Sequence, residues 1–281
     1  MTIKQALKLA SGKLRKVSDN PWIDTEVLLC YVLKRNKSWL YTYPNKKLTP
    51  GQYQSFQKII KRRLKHEPIA YITQHKEFYG LDFYVNRRVM IPRPETELLI
   101  DEVISLVTAL GNLVTVADIG TGSGCIAIAL AKEIRAKIYA TDISNAILNI
   151  AKKNAKKHKV LNKITFLKGD LLHPLKNRKI DVIVANLPYL TTKQWLSTKP
   201  DIRKYESREA LDGGKDGLNY IRELLYQALK RKDIKAIILE MGGKRQANKI
   251  KKIAKTLWPK CKIKIKKDLR GLDRVVIISL A

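Results

Sequence analysis

Leu113-Val114-Thr115-Val116-Ala117-Asp118-Ile119-Gly120-Thr121-Gly122-Ser123-Gly124 is the stretch that decides the architecture. An apolar run that ends in alternating glycines reads as a strand, a tight turn and the start of a helix. Glycines at 120, 122 and 124 let the backbone turn sharply and approach a ligand closely. The helix that follows offers unpaired amide groups and a positive dipole end. The spacing is Gly-x-Gly-x-Gly, which differs from the Gly-x-Gly-x-x-Gly of dinucleotide sites. Asp118 precedes the loop, where a carboxylate repels a diphosphate but accepts from an ammonium, directly or through water.

Downstream of this loop, strands and helices alternate. The patterns predict helices over 125–134, 145–157, 218–229 and 244–257, and strands over 137–140, 164–167, 181–185 and 236–239. Such alternation implies βαβ units, a mostly parallel sheet and helices on both of its faces. Two last strands, 262–266 and 274–280, have no helix between them and are expected to form an antiparallel pair at one edge.

Upstream the pattern differs. Ile3, Ala6, Leu7, Ala10 and Leu14 recur at helix spacing, and Asn20-Pro21-Trp22 breaks that helix. Asp24 reads as the cap of a second helix carrying Val27, Leu28, Tyr31 and Val32. Thr49-Pro50-Gly51 opens a third, with Tyr53, Phe56, Ile59, Ile60 and Leu64. A small helical bundle over 1–72 is the natural reading. The aromatic segment 77–85, with Gly80 at its centre, reads as a hairpin or extended connector within 73–94. Ile91-Pro92-Arg93-Pro94 is stiff, Glu95 and Thr96 follow, and a helix is expected over 97–110. The α/β domain then fills 95–281.

Three acidic residues stand at successive strand ends. Besides Asp118, Asp142 ends the second strand, beside Ile143, where it can accept both ribose hydroxyls of a nucleoside. Asp170 ends the third, beside Leu171, where an adenine ring would lie. Ligands gather at the carboxyl ends of such strands.

At the end of the fourth strand stands Asn186-Leu187-Pro188-Tyr189. A planar amide nitrogen is a poor nucleophile, because its lone pair is delocalised. A site that alkylates one must orient it and draw charge through its N–H bonds. The Asn186 side-chain oxygen can accept one hydrogen and the Leu187 carbonyl the other, and Tyr189 can pack beside the flat group. With the glycine loop, this implies methyl transfer from S-adenosylmethionine, carried by orientation and hydrogen bonding. No metal, covalent intermediate or dedicated general base is required.

Bulk composition sets the outer limits. With 281 residues and 45% hydrophobic content, the chain can bury a sizeable core. No apolar run reaches the ~18 residues that cross a bilayer, and the N-terminus lacks a secretion signal. Cys30, Cys125 and Cys261 are far apart and odd in number, which argues against a disulfide framework or zinc cluster and fits a cytoplasmic location. The net charge of +31, from 56 basic and 25 acidic residues, suits a polyanionic partner. The excess is scattered and mostly lysine, however, whereas arginine is the better residue for specific phosphate contacts. Lysine-rich genome composition is the favoured account of it, with a nucleic-acid or ribonucleoprotein partner as the alternative.

The whole chain resembles the release-factor glutamine N5-methyltransferases, the HemK/PrmC group. The resemblance rests on 68–72, on Glu77-Phe78-Tyr79-Gly80 and on Ile91-Pro92-Arg93-Pro94-Glu95-Thr96-Glu97. It rests also on the glycine loop, the Asn-x-Pro-Tyr turn, the segment 210–218, Glu240-Met241-Gly242 and Asp273-Arg274. It implies a class I, Rossmann-like methyltransferase domain with a seven-stranded, mostly parallel sheet, behind an N-terminal helical domain that recognises the substrate. The implied substrate is the glutamine of the Gly-Gly-Gln motif in peptide-chain release factors, and the implied state is a monomer. By position, Gly120 to Gly124, Asp142 and Asn186 hold the cofactor, Asn186 to Tyr189 hold the glutamine amide, and Arg93 and Glu95 line the cofactor pocket or substrate channel. Leu187 stands where the family usually has proline, and Leu171 where many members have tryptophan. A competing expectation is a nucleic-acid adenine N6-methyltransferase, since adenine presents the same planar amino group once flipped out. The helical N-terminal region speaks for the protein substrate.

Overall fold

The computed structural model describes residues 1–111 and 114–280; Leu113, which opens the apolar run, and Ala281, which closes the expected second domain, lie outside the described residues. The chain forms two compact units. One comprises Met1–His75 with Lys199–Tyr205, and the other comprises Lys76–Thr198 with Glu206–Ala281.

The first unit is helical, with helices Ile3–Leu14, Pro21–Leu33, Lys37–Thr42, Pro50–Leu64, Ile69–Thr73 and Pro200–Tyr205. Capping boxes start two of them. Thr2 accepts from the Gln5 amide and Thr49 from the Gln52 amide, while each glutamine side chain accepts in return from the capping residue's N–H. Their apolar faces meet in a core of Ile3, Leu7, Leu28, Leu40, Phe56 and Ile60. Asp24 does not cap the second helix. That helix begins three residues earlier at Pro21, which needs no N–H partner at the first position. Asp24 instead takes the Arg63 guanidinium at 2.8 Å. The other guanidinium nitrogens of this buried arginine reach Asp201 at 2.8 Å and the Val17 carbonyl at 3.1 Å. The helix Pro200–Tyr205 belongs to this unit through such contacts.

The second unit opens with a hairpin, β1 (His75–Phe78) and β2 (Leu81–Tyr84). Tyr79 and Gly80 both adopt positive φ, +51° and +68°, as a two-residue hairpin turn of this hand requires. The Tyr79 N–H is held by Glu97 and its hydroxyl by Asp101. The helix Glu97–Leu110 then leads to β3 (Thr115–Ile119), β4 (Lys137–Asp142), β5 (Ile164–Lys168), β6 (Val182–Ala185), β7 (Ala236–Glu240), β8 (Lys262–Lys267) and β9 (Asp273–Ser279). They form one seven-stranded sheet in the order β5-β4-β3-β6-β7-β9-β8, with β9 antiparallel to both of its neighbours and the other pairings parallel. This is the class I methyltransferase fold.

The inner strands are buried on both faces, so β6 and β7 read as continuous apolar runs. One face carries Ala117, Ile119, Ile183, Ala185, Ile237 and Leu239, and packs with the helices Asn219–Leu229 and Lys244–Leu257. The helices Cys125–Glu133 and Asn145–Lys157 follow β3 and β4 as the crossovers of the parallel half. The strand order reverses at β3: β4 and β5 lie to one side, β6 and β7 to the other. At such a switch point the two diverging loops leave a crevice. The register pairs Ile119 with Ala185, so Gly120 and Asn186 emerge side by side at its edge. No helix among the described residues is long and apolar enough to cross a membrane.

Candidate active site

The crevice at the switch point is a cavity of about 400 Å³, within the size range of small-molecule sites. Its wall includes Gly120 to Ser123, Asp142, Ile143, Asp170, Leu171, Asn186, Leu187 and Pro188. Two motifs far apart in sequence thus share one cavity.

The glycine loop is fastened at its base. The Gly120 and Thr121 N–H groups both donate to the Thr141 carbonyl, at 2.9 and 2.8 Å, which ties the loop to the end of β4. The Gly122 N–H donates to Asp142 Oδ2 at 3.1 Å. Gly124 caps the following helix with φ +82°, and a Cβ there would lie 3.0 Å from both Ala151 and Ile128. A Cβ at Gly120, φ +73°, would lie 3.1 Å from the Leu187 side chain. These two glycines therefore serve backbone conformation and close packing together.

Asp118 is placed differently from the expectation. It is fully buried behind the loop and is not part of the cavity wall. Its Oδ2 accepts from the Thr121 hydroxyl at 2.6 Å and from the Ala127 N–H at 3.2 Å, so it holds loop and helix together. The reason is alternation along β3, which points position 118 into the helix layer. Oδ1 has no partner, and burial pushes the carboxyl up to about 7, against the pull of those two hydrogen bonds. Asp142 stands in the wall itself. Burial raises its pKa too, opposed by N–H donors from Gly122 and Ser144. Asp170 lies beyond the last residue of β5 and is exposed at the rim. Ile143 is 66% exposed at the rim, an apolar side chain without a core to fill, and Leu171 forms a buried part of the wall.

The Asn186 turn belongs to a polar network that was not foreseen. Asn186 Nδ2 donates to the Thr96 hydroxyl oxygen at 3.0 Å, and the Thr96 hydroxyl donates to Glu240 Oε2 at 2.6 Å. The Tyr189 hydroxyl donates to Glu240 Oε1 at 2.9 Å. Burial raises the Glu240 pKa, while the two hydroxyl donors and the Arg274 charge oppose the shift. Burial and the Glu240 charge both push the Tyr189 phenol upward, so it stays a neutral donor. Tyr189 is not among the residues of the cavity wall. Its ring leans on the core and its hydroxyl is committed to Glu240.

Arg93 and Glu95 also lie outside the wall, and their neighbours Pro92 and Thr96 line it instead. The Arg93 guanidinium is drawn away by an ion pair with the buried Glu206, whose other oxygen accepts the Ile91 N–H at 3.3 Å. Glu95 is half-buried and its charge opposes ionisation of Glu240.

The sequence reading also missed Asn154, which sits on the inner side of the helix Asn145–Lys157. Its amide donates to the Ser123 and Tyr84 carbonyls and accepts from the Tyr84 N–H, tying the hairpin to the glycine loop. The available signal was a wholly buried Asn among Leu148, Ala151 and Ala155, since buried amides need partners.

Chains of known proteins resemble this one over its length. The family profile of the PrmC N-terminal domain matches residues 5–73, and that of ribosomal protein L11 methyltransferase (PrmA) matches residues 96–190. A release factor glutamine methyltransferase of Bacillus anthracis is 35% identical over 285 residues, covering 100% of both chains. One of Coxiella burnetii is 39% identical over 279 residues, covering 99% of this chain and 98% of that one. Among solved structures, the N-terminal domain of human METTL16 in complex with SAH shares the fold, with a TM-score of 0.56 at 18% identity over 90% of this chain and 94% of that one. Full-length identity at this level, with the glycine loop and the Asn186 turn on one cavity, places the chain: it belongs to the release factor glutamine methyltransferase family.

Proposed function

We propose that this chain transfers a methyl group from S-adenosyl-L-methionine to the side-chain amide nitrogen, N5, of the glutamine in the Gly-Gly-Gln motif of peptide-chain release factors. The observation that carries this reading is the orientation of Asn186. Its NH2 end is bound to Thr96, which leaves its carbonyl end for a donor in the cavity that the glycine loop also lines.

The residues present suit the cofactor. Gly120 and Gly122 bring bare backbone to the wall, Asp142 offers a carboxylate to vicinal hydroxyls, and Ile143 with Leu171 offers apolar surface to a base. Bound there, S-adenosylmethionine would supply an electrophilic sulfonium methyl with a neutral thioether as its leaving group, and the one amide proton displaced from the nitrogen would pass to solvent. Asn186 Oδ1 and the Leu187 carbonyl each accept one N–H of the substrate carboxamide. Accepting both hydrogens directs the nitrogen and shifts electron density toward it. Pro188, next in the chain, stiffens the turn that carries them.

In this reading the helical domain, residues 1–72, recognises the release factor, 73–94 is the connector with its hairpin, and 95–281, apart from the segment Lys199–Tyr205 that belongs to the helical unit, is the catalytic domain. The enzyme acts as a cytoplasmic monomer, where its substrate is made and used. Its positive charge does not require nucleic acid.

Recombinant enzyme incubated with methyl-labelled S-adenosylmethionine and a release factor should label the factor. Replacement of the motif glutamine by alanine should abolish the label. Label on DNA with none on the factor would replace this reading by the adenine methyltransferase.

A further inference from the structure

An asparagine amide has nearly the same shape with its oxygen and nitrogen exchanged, so only its neighbours decide which end faces where. At Asn186 the decision is made one residue behind the cavity wall, at Glu240. Glu240, 1% exposed, can as a carboxylate only accept hydrogen bonds. Its Oε1 takes the Tyr189 hydroxyl and its Oε2 the Thr96 hydroxyl. The single Thr96 proton is thereby committed, so the Thr96 oxygen can act toward Asn186 only as an acceptor. Asn186 must then present Nδ2 to Thr96, as it does at 3.0 Å. Its oxygen is left for the cavity, where the substrate offers N–H groups. Burial, and with it the Glu95 charge, opposes the charged form of Glu240, while the Thr96 and Tyr189 hydroxyl donors and the Arg274 charge favour it.

We propose that Glu240, acting through the Thr96 hydroxyl, is a positioning residue that sets the polarity of the Asn186 amide, and so makes the site accept a hydrogen-bond donor and reject an acceptor. This rests on the methyl-transfer reading above for its consequence, and on the hydrogen-bond geometry with Glu240 as a carboxylate for its cause.

The test reverses the chain of donors. T96V removes the relay and E240Q lets a side-chain NH2 face Thr96. Each should lower kcat/KM for the release factor about 10–100-fold, the usual size of losing an orienting partner behind a reacting group. T96S keeps the hydroxyl and should stay near wild type. N186D confronts the one Thr96 proton with two carboxylates and should be nearly inactive. Combined with E240Q, the direction can run the other way: the new amide donates to Thr96, Thr96 donates to the new carboxylate, and its second oxygen accepts from the substrate. The double variant N186D/E240Q should be about tenfold more active than N186D alone, the size of one recovered hydrogen bond. T96V leaves a buried carboxylate short of a donor and should lower the melting temperature, so every variant is assayed well below its own midpoint. Binding of S-adenosylhomocysteine by calorimetry, retained in T96V, T96S and E240Q, separates polarity from folding.

A second readout needs no protein substrate. The side-chain N–H signals of Asn186 should be protected from solvent exchange in wild type and T96S, and unprotected in T96V and E240Q. Wild-type kinetics and protection in T96V and E240Q, or a double variant no better than N186D, would overturn the proposal. Normal protection changes with no label on any release factor would uphold it and defeat the assignment of substrate.

Discussion

Asn186 Nδ2 and Thr96 Oγ1 lie 3.0 Å apart although ninety positions separate them in the chain. Thr96 closes the short 3₁₀ turn Pro94–Thr96, and Asn186 follows β6, so the contact exists only once helix Glu97–Leu110 has packed beside the sheet. Asn186→Ala removes the acceptor that this contact orients. Turnover on a release factor should fall roughly 10²–10³-fold, by analogy with loss of one polar partner of developing charge. Affinity for S-adenosylhomocysteine should survive, because the glycine loop is untouched. Unaltered turnover would refute the role given to Asn186.

Gly124→Ala should act on the other half of the site. The position has φ +82° and a Cβ would meet Ala151 and Ile128 at 3.0 Å. Left-handed backbone with a side chain costs about 1–2 kcal/mol before any crowding. The melting temperature should drop and S-adenosylhomocysteine should bind more weakly in calorimetry. A variant with native melting and native affinity would show that the loop tolerates a side chain there.

Asp118 gives the protein a pH dependence with a definite sign. Burial raises its carboxyl from 3.8 to about 7. Between those values the folded protein holds a proton here that the unfolded chain has lost, so this group's contribution to stability falls as pH rises from 3.8 to about 7. Below that window both states are protonated and the penalty is absent; above it the penalty is constant. Asp118→Asn keeps an acceptor for Thr121 and Ala127 and removes the charge. Its melting temperature should vary less with pH than that of wild type across the window, with the variant gaining relative stability toward pH 8. A relative loss of stability toward pH 8 would contradict the assignment.

Arg63 organises the helical unit. It is 6% exposed and satisfied by Asp24, Asp201 and the Val17 carbonyl. Arg63→Ala strands Asp24 and leaves Asp201 with only its His66 contact, and both carboxylates are partly open to water, so the cost should be about 2–3 kcal/mol, below the ~3–5 of a fully buried pair. Urea denaturation followed by a signal from this unit would measure it. A change within error would mean the aspartates rehydrate freely.

Long periodic elements were legible in the residues. The helices Glu97–Leu110, Asn145–Lys157 and Lys244–Leu257 begin and end where the pattern of apolar residues predicts, and the β8–β9 antiparallel pair follows from the missing crossover. The short helices Lys37–Thr42, Ile69–Thr73, Thr192–Leu196 and Pro200–Tyr205 were not read, because one or two turns carry too little periodicity to stand out. Asp24 misled because it has the chemistry of a cap, yet the Arg63 charge from another helix holds it.

By itself the order of residues determined the alternating α/β plan, the glycine loop after one strand and the Asn-Leu-Pro-Tyr turn after another. These follow from spacing along the chain, where each residue's neighbours at one to four positions dictate helix, strand or turn. Only the folded molecule decided that Asp118 faces the helices, that Arg93 is taken by Glu206, that Tyr189 turns to Glu240 and that Thr96 holds Asn186. Those outcomes depend on sheet register and strand order, which bring residues from opposite ends of the domain within hydrogen-bond distance and leave no trace in local pattern.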